Sequence, residues 1–264
     1  MTEDVYIDWE TIHINSGKHF TRNDPIALEY PLTIYVNGNE FATIVCTPNH
    51  LRDLIIGFLA AEGIILRANE MDRLNIDVDR GFAYVEIDNL GDISTDHSKR
   101  FIGSCCGKSR QFYFKSDVKT AKTITNPLKI TVKQCFSFMQ QLQKASDSFR
   151  HTGGVHNAAL CSNEQLLAIR TDIGRHNALD KIYGHILEEE ISVKDKVIVF
   201  SGRISSEALL KVAKIGAAIV ISKSAPTDLA LKLAEDLGIT TVGFVRNNKM
   251  NIYTHPYRVA ETLE

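Results

Sequence analysis

Leu32-Thr33-Ile34-Tyr35-Val36 alternates apolar and polar positions, and Phe41 to Cys46 forms a second apolar run beyond Asn37-Gly38. Two β-rich runs around Asn-Gly predict a hairpin, because Asn and Gly tolerate the positive φ of a tight reversal. Thr47-Pro48-Asn49 then opens a helix, with Leu51, Leu54, Ile55, Phe58 and Leu59 at helical spacing and Gly63 as its stop. Ile76-Asp77-Val78 and Phe82 to Ile87 alternate again as strands around a turn at Asp79-Arg80-Gly81, and residues 90–99 are polar loop. Val132 to Ala145 repeats apolar residues at helical spacing through Phe136, Met139 and Leu142, and connects two halves of the chain.

The second half changes character. Leu166 to Ile169 is a short strand, and Asn177 to Leu187 is helical. Val197 to Phe200 and Ala218 to Ile221 are short, wholly apolar runs, the signature of strands buried on both faces. Each leads through a Ser-rich connection into a helix, from Ser205 and from Thr227, and Thr240 to Val245 adds a further strand. Strands alternating with helices predict parallel pairing and an α/β layer fold. The expected division is an N-terminal α+β part over residues 1–130 and an α/β ligand-binding domain over 131–264.

Composition narrows the function classes. The 264 residues are 44% hydrophobic and 23% charged, with a net charge of -2, so any anion site must be local and a nucleic-acid polymer is not the partner. There is neither a leader-like apolar segment nor an apolar run of 18 residues, which predicts a cytoplasmic protein without a membrane anchor. Five cysteines, an odd number, read as free thiols in a reducing compartment.

Four connections carry candidate chemistry. Gly103-Ser104-Cys105-Cys106-Gly107-Lys108-Ser109 places adjacent cysteines between glycines, with Lys108 and Arg110 to favour thiolate over thiol; two small residues in an ordinary turn is the plainer reading. Thr152-Gly153-Gly154-Val155-His156-Asn157 is a tight turn where backbone N–H groups can face a ligand and His156 can move a proton or balance a thiolate, or else a structural turn. In Asp172-Ile173-Gly174-Arg175-His176-Asn177, Asp172 either pairs with Arg175 or His176, or leaves those two free to face a phosphate at a helix start. Ser201-Gly202-Arg203-Ile204-Ser205 and Ser222-Lys223-Ser224-Ala225-Pro226-Thr227 follow parallel-type strands, so both fall on the carboxyl edge where open α/β sheets bind ligands; Ser and Thr serving only as helix caps is the alternative. Neither Cys-x-x-Cys nor the deaminase pair of His-x-Glu and Pro-Cys-x-x-Cys occurs, so no permanent metal is expected.

These motifs, with Tyr30 to Gly38, Gly57 to Gly63, Ala178-Leu179-Asp180-Lys181 and Gly243-Phe244-Val245-Arg246, resemble the formate dehydrogenase accessory sulfurtransferase family over most of the chain. The resemblance implies a C-terminal half similar to the cytidine-deaminase-type α/β fold, without its zinc. It also implies a homodimer that takes persulfide sulfur from a cysteine desulfurase and passes it to the bis(molybdopterin guanine dinucleotide) form of the molybdenum cofactor, a bound substrate needed by formate dehydrogenase. Many members carry Cys-Gly-x-Cys-Gly on the loop; this chain does not. Matching on Cys-Gly-Lys makes Cys106 the carrier, and matching on Ser-Cys makes it Cys105; Cys106 is preferred. The cofactor is expected to contact Ser201, Gly202, Arg203, Ser222, Lys223, Ser224, Arg175, His176 and His156, together with Phe244, Val245, Arg246, Asn247, Asn248 and Lys249. Phe244 is available for base stacking, and the cations would balance phosphates. A non-catalytic cofactor-binding chaperone and a nucleotide-modifying enzyme on a deaminase-like fold are the rival readings.

Overall fold

A computed structural model describes residues 5–88, 100–102, 121–146, 152–162 and 165–260, with 100–102 described as backbone only. The cysteine loop with Cys105, Cys106, Lys108 and Arg110, and the polar loop over 90–99, lie outside the described residues. The chain opens with two strands not anticipated from its pattern, β1 (Tyr6–Asn15) and β2 (Lys18–Ala27), which form an antiparallel ribbon. The hairpin at Asn37-Gly38 is β3 (Tyr30–Val36) and β4 (Asn39–Cys46), and both turn residues take the expected positive φ. With β5 (Arg73–Asp77), β6 (Phe82–Glu86) and β7 (Arg100–Ile102) they make a five-stranded sheet ordered β5-β6-β3-β4-β7. Its inner face, with Leu32, Ile34, Ile44, Ala83 and Val85, joins one apolar core with helix α1 (Leu51–Ala61).

After β8 (Ile130–Thr131), helix α2 (Val132–Lys144) starts with a capping box: Thr131 and Gln134 each accept the other's backbone N–H. The C-terminal sheet is ordered β10-β9-β11-β12-β13-β14, from β9 (His156–Ser162), β10 (Gln165–Asp172), β11 (Val197–Phe200), β12 (Ile219–Ser222), β13 (Thr240–Arg246) and β14 (Lys249–Thr254). The expectation of parallel pairing holds for β11-β12-β13 alone; β9, β10 and β14 join antiparallel. Helices α3 (Arg175–Glu188), α4 (Ser206–Ile215) and α5 (Asp228–Leu237) adjoin in order, and α4 and α5 are capped by Ser205 and Thr227. β15 (Val259–Ala260) returns to pair with β8, next to the buried Arg258, whose guanidinium donates to the carbonyls of Ile124, Asn126 and Gly238.

The two sheets are joined where α1 crosses α3. Gly57 and Gly184 stand at this crossing, and a β-carbon on either would run into the other helix's backbone, at Asp180 or Asp53. Ion pairs flank the contact: Asp53 with Arg170 at 2.5 Å and Arg52 with Glu188 at 2.9 Å. Neither neighbour is a flexible side chain that can yield, so Gly184→Ala must push the helices apart. It is expected to cost about 3 kcal/mol or more, read as a fall in the urea midpoint of unfolding.

Candidate functional site

The mixed pairing of the C-terminal sheet brings scattered motifs to one edge. β11, β12 and β13 run parallel, so Ser201, Lys223 and Phe244 emerge together at their carboxyl ends. β9 is antiparallel to β11, which places its first residues, His156 and Asn157, at the same edge, and β10 ends there at Asp172, opposite His156. Backbone bonds tie the loops together: Ser201 N–H to Asn157 O, Ile204 N–H to Ala225 O, and Phe244 N–H to Ser224 O. At the N-terminus of α4, His176 Nε2 lies 3.4 Å from Ser205 Oγ.

Beside this edge is a cavity of about 360 Å³ lined by Met139, Leu142 and Ser146 on one side and His156, Asn157, Ser201 and Lys223 on the other. One wall is the apolar face of α2, and the other is polar and cationic. The motifs signalled the polar wall. Met139 and Leu142 had been read only as helix periodicity, because nothing in a sequence shows which strands a helix will lie across.

The expected contact residues divide by what their side chains already do. Arg203, Arg246 and Lys249 are exposed, and Lys223 is half-buried, giving a locally cationic rim on a chain of negative net charge. Phe244 is half-buried at φ 55°, a left-handed conformation costly for an aromatic residue, and the Arg246 guanidinium lies 5.5 Å from its ring centre. Asn247 and Asn248, also at positive φ, turn the β13–β14 hairpin at this edge. Ser222 is fully buried, donates to Gly202 O at 2.8 Å and accepts from Ser224 N–H, so its hydroxyl is structural. Ser201 Oγ accepts from Asn157 N–H. Gly202 has the Phe200 ring where a β-carbon would stand, and the Val245 side chain is buried in the core. Those two can offer a ligand only their backbone.

Of the two readings of this connection, one paired Asp172 with Arg175 or His176 and the other left them to face a phosphate; neither included Lys181, which pairs with Asp172 at 2.7 Å with both side chains fully buried. The carboxylate also accepts from the N–H groups of Thr47 and Gly174 and from Asn177 Nδ2. Lys181 donates further to Thr47 O, Thr171 O and Asn49 Oδ1. A buried lysine inside a helix has no local sequence signature, which is why the pair was missed. Arg175 and His176 are left at the edge.

Burial, with Lys211, Arg175 and His156 close by, pushes the His176 imidazole down to about 3. His156 is lowered by burial and by Arg175. Both rings are therefore neutral near pH 7, so the 3.3 Å approach of His176 Nε2 to Glu207 does not join two full charges there. Cys46, Cys135 and Cys161 are buried, and desolvation raises each thiol to about 12, so none of them supplies a thiolate at neutral pH. Among the described residues no group of three or more His, Cys, Asp or Glu side chains is placed to hold a metal ion.

A cationic, Ser-rich edge with a half-apolar cavity beside it stands where open α/β sheets commonly take ligands. The chain belongs to the FdhD/NarQ family, whose model matches residues 27–260. It is 58% identical over 239 residues to the sulfur carrier protein FdhD of Bacillus subtilis, covering 90% of this chain and 91% of that one. It is 50% identical over 263 residues to the protein of the same name from Staphylococcus aureus, covering 99% of both. A crystal structure of a candidate formate dehydrogenase accessory protein from Desulfotalea psychrophila superposes with a TM-score of 0.80 at 25% identity, covering 97% of this chain and all of that one.

The depressed His176 pKa has a sign that can be measured. The unfolded imidazole takes a proton as pH falls through about 6.5, whereas the folded one resists until about 3. Stability is thus present above pH 6.5 and is lost as pH falls below it. Between pH 7 and pH 5 the loss is at most about 2 kcal/mol. In urea titrations at the two pH values, His176→Gln should lose less stability than wild type by that amount; His50, His156 and His185, also held low, contribute in the same direction.

Proposed function

We propose that this chain is a sulfur carrier. Cys106 takes persulfide sulfur from a cysteine desulfurase and delivers it to the bis(molybdopterin guanine dinucleotide) cofactor for formate dehydrogenase, and the protein works as a homodimer in the cytoplasm. Family membership supports the role, since the relatives named above are sulfur carrier proteins. In this reading residues 131–264 are a zinc-free version of the cytidine-deaminase-type fold, and residues 1–130 present the carrier loop.

The observation that carries the reading is where β7 ends. β7 runs parallel to β4, with Ile102 beside Ile44, and the next residue is Gly103 at the head of the cysteine loop. Three residues beyond Ile44, at about 3.4 Å per residue, Thr47 donates its N–H to Asp172 at the ligand edge. The loop therefore starts about 10 Å along the strand direction from the hub of the binding edge. A carrier thiol has to reach both an external donor and the bound cofactor, and this root permits that with a short loop.

The loading step is an exchange. The Cys106 thiolate attacks the outer sulfur of the desulfurase persulfide, the donor's S–S bond breaks, and its cysteine leaves as thiolate; no outside oxidant or reductant is required. After incubation with a desulfurase and cysteine, mass spectrometry should find one added sulfur on Cys106, and Cys106→Ala should neither load nor restore formate dehydrogenase in a deficient strain. Loading confined to Cys105 moves the role to that residue. Cofactor binding with no persulfide on either supports the chaperone reading.

The cofactor's nucleotide end is assigned to the cavity and the rim beside it. Guanosine diphosphate should bind in titration calorimetry, more weakly as salt rises because the rim cations are exposed. Arg203→Ala with Arg246→Ala should weaken binding roughly tenfold or more, about 1–2 kcal/mol for two charge-assisted contacts.

A further inference from the structure

The β1–β2 ribbon has no place in the chemistry above. The family model begins at residue 27, where the ribbon ends. Ten residues of β1 pair with ten of β2, and neither strand pairs with any other among the described residues. Among the described residues, seven of the thirteen exposed large hydrophobic residues lie on this ribbon, with Trp9, Ile12 and Ile14 exposed by 62%, 69% and 68%. An isolated two-stranded ribbon is marginal in water, and its open edges and apolar faces favour association.

The register sorts these side chains onto two faces. Directly opposed residues share a face and neighbours along a strand alternate. Ile7 and Ile26 lie on one face with Trp9, and with Phe20, whose ring stacks on His13 at 5.5 Å. Tyr6, Ile12 and Ile14 lie on the other. A partner lying flat on one face would leave the second apolar row in water. The ribbon needs cover on both.

We propose that the ribbon is a dimerisation arm that grips a second copy of this chain. Two identical ribbons related by a two-fold axis cover one apolar row of each by packing face to face, while the second row lies on the partner's body. The area agrees. Ten residues span about 34 Å, and a two-stranded ribbon is about 10 Å wide, so each face offers about 340 Å². Both faces of two arms then bury about 1,400 Å², within the range of specific, stable interfaces. The inference rests on the homodimer reading only in taking a second copy as the occupant, and it assigns the surface which that reading leaves open. The polar cluster of His13, Asp24 and Arg22, joined at 2.7 Å and 2.9 Å, is satisfied within one arm, so it sets arm shape and leaves the apolar rows to hold the partner.

Trp9 is the chain's one tryptophan, so its emission reports on the arm alone. A dilution series of the full chain, followed by light scattering and by fluorescence, is the test. The expected result is a dimer with blue-shifted emission that becomes a monomer with red-shifted emission at one common midpoint. Ile12→Asp with Ile14→Asp should raise the dissociation constant roughly 100-fold or more with an unchanged melting curve of the body. A dimer whose Trp9 emits as in water at every concentration overturns the arm and keeps the homodimer. A monomer at every concentration overturns both, and a monomer with blue-shifted Trp9 shows the arm folded on its own body. Persulfide loading is scored separately, so its failure is not confused with any of these.

Discussion

The junction between the two sheets turns on one buried ion pair. Asp172 ends β10, Lys181 sits two turns into α3, and both are out of contact with water. Two charges in such a place are stable only when every remaining donor and acceptor is used, and here they are. The carboxylate holds the N–H of Gly174 and the side chain of Asn177, which sets where α3 begins. It also holds Thr47, and the ammonium takes the Thr47 carbonyl, so the end of β4 is locked to the second sheet. The positions of Arg175 and His176, and the register of β10 against His156, follow from that junction.

The seam has a second component of a different kind. Gly57 and Gly184 let α1 and α3 approach until backbone meets backbone. Close packing of this sort transmits displacement, because a dense interior has little room to absorb it. Apolar contact supplies most of the adhesion, and the buried polar network selects one arrangement among those that the apolar surfaces alone would tolerate. Asp180 shows the cost of placing charge here: burial raises its carboxyl pKa, and Lys211 at 2.5 Å works against that shift.

The sequence told more about local structure than about pairing. The Asn37-Gly38 hairpin, α1, α2 and the β11–α4–β12–α5–β13 series were legible because periodicity and capping are local. β1, β2 and β9 were not. β1 carries apolar residues on both faces, nearly all of them exposed, and so shows no buried stripe, while β9 is buried almost throughout and shows no alternation. The polar wall of the cavity was legible as short Ser, Lys and His motifs. Its apolar wall, and the Asp172–Lys181 pair, depend on which elements meet in space. Ser222 and Val245 show the same limit: their positions at the edge could be inferred, but not that one hydroxyl is spent on Gly202 and one side chain on the core.

The rigidity of the seam bears on how a sulfur carrier can be selective. A persulfide is reactive toward any accessible thiolate, so a carrier gains little from a mobile body that brings its loaded cysteine near many groups. Three of the five cysteines, Cys46, Cys135 and Cys161, are sheltered by burial that holds their sulfurs protonated. Cys46 is the instructive one, since it lies on β4 one residue before Thr47, next to the hub itself. A negative charge there would stand close to Asp172, which also raises the Cys46 pKa. Burial is the main reason the Cys46 thiol stays protonated; Asp172 adds to that effect, and Lys181 works against it.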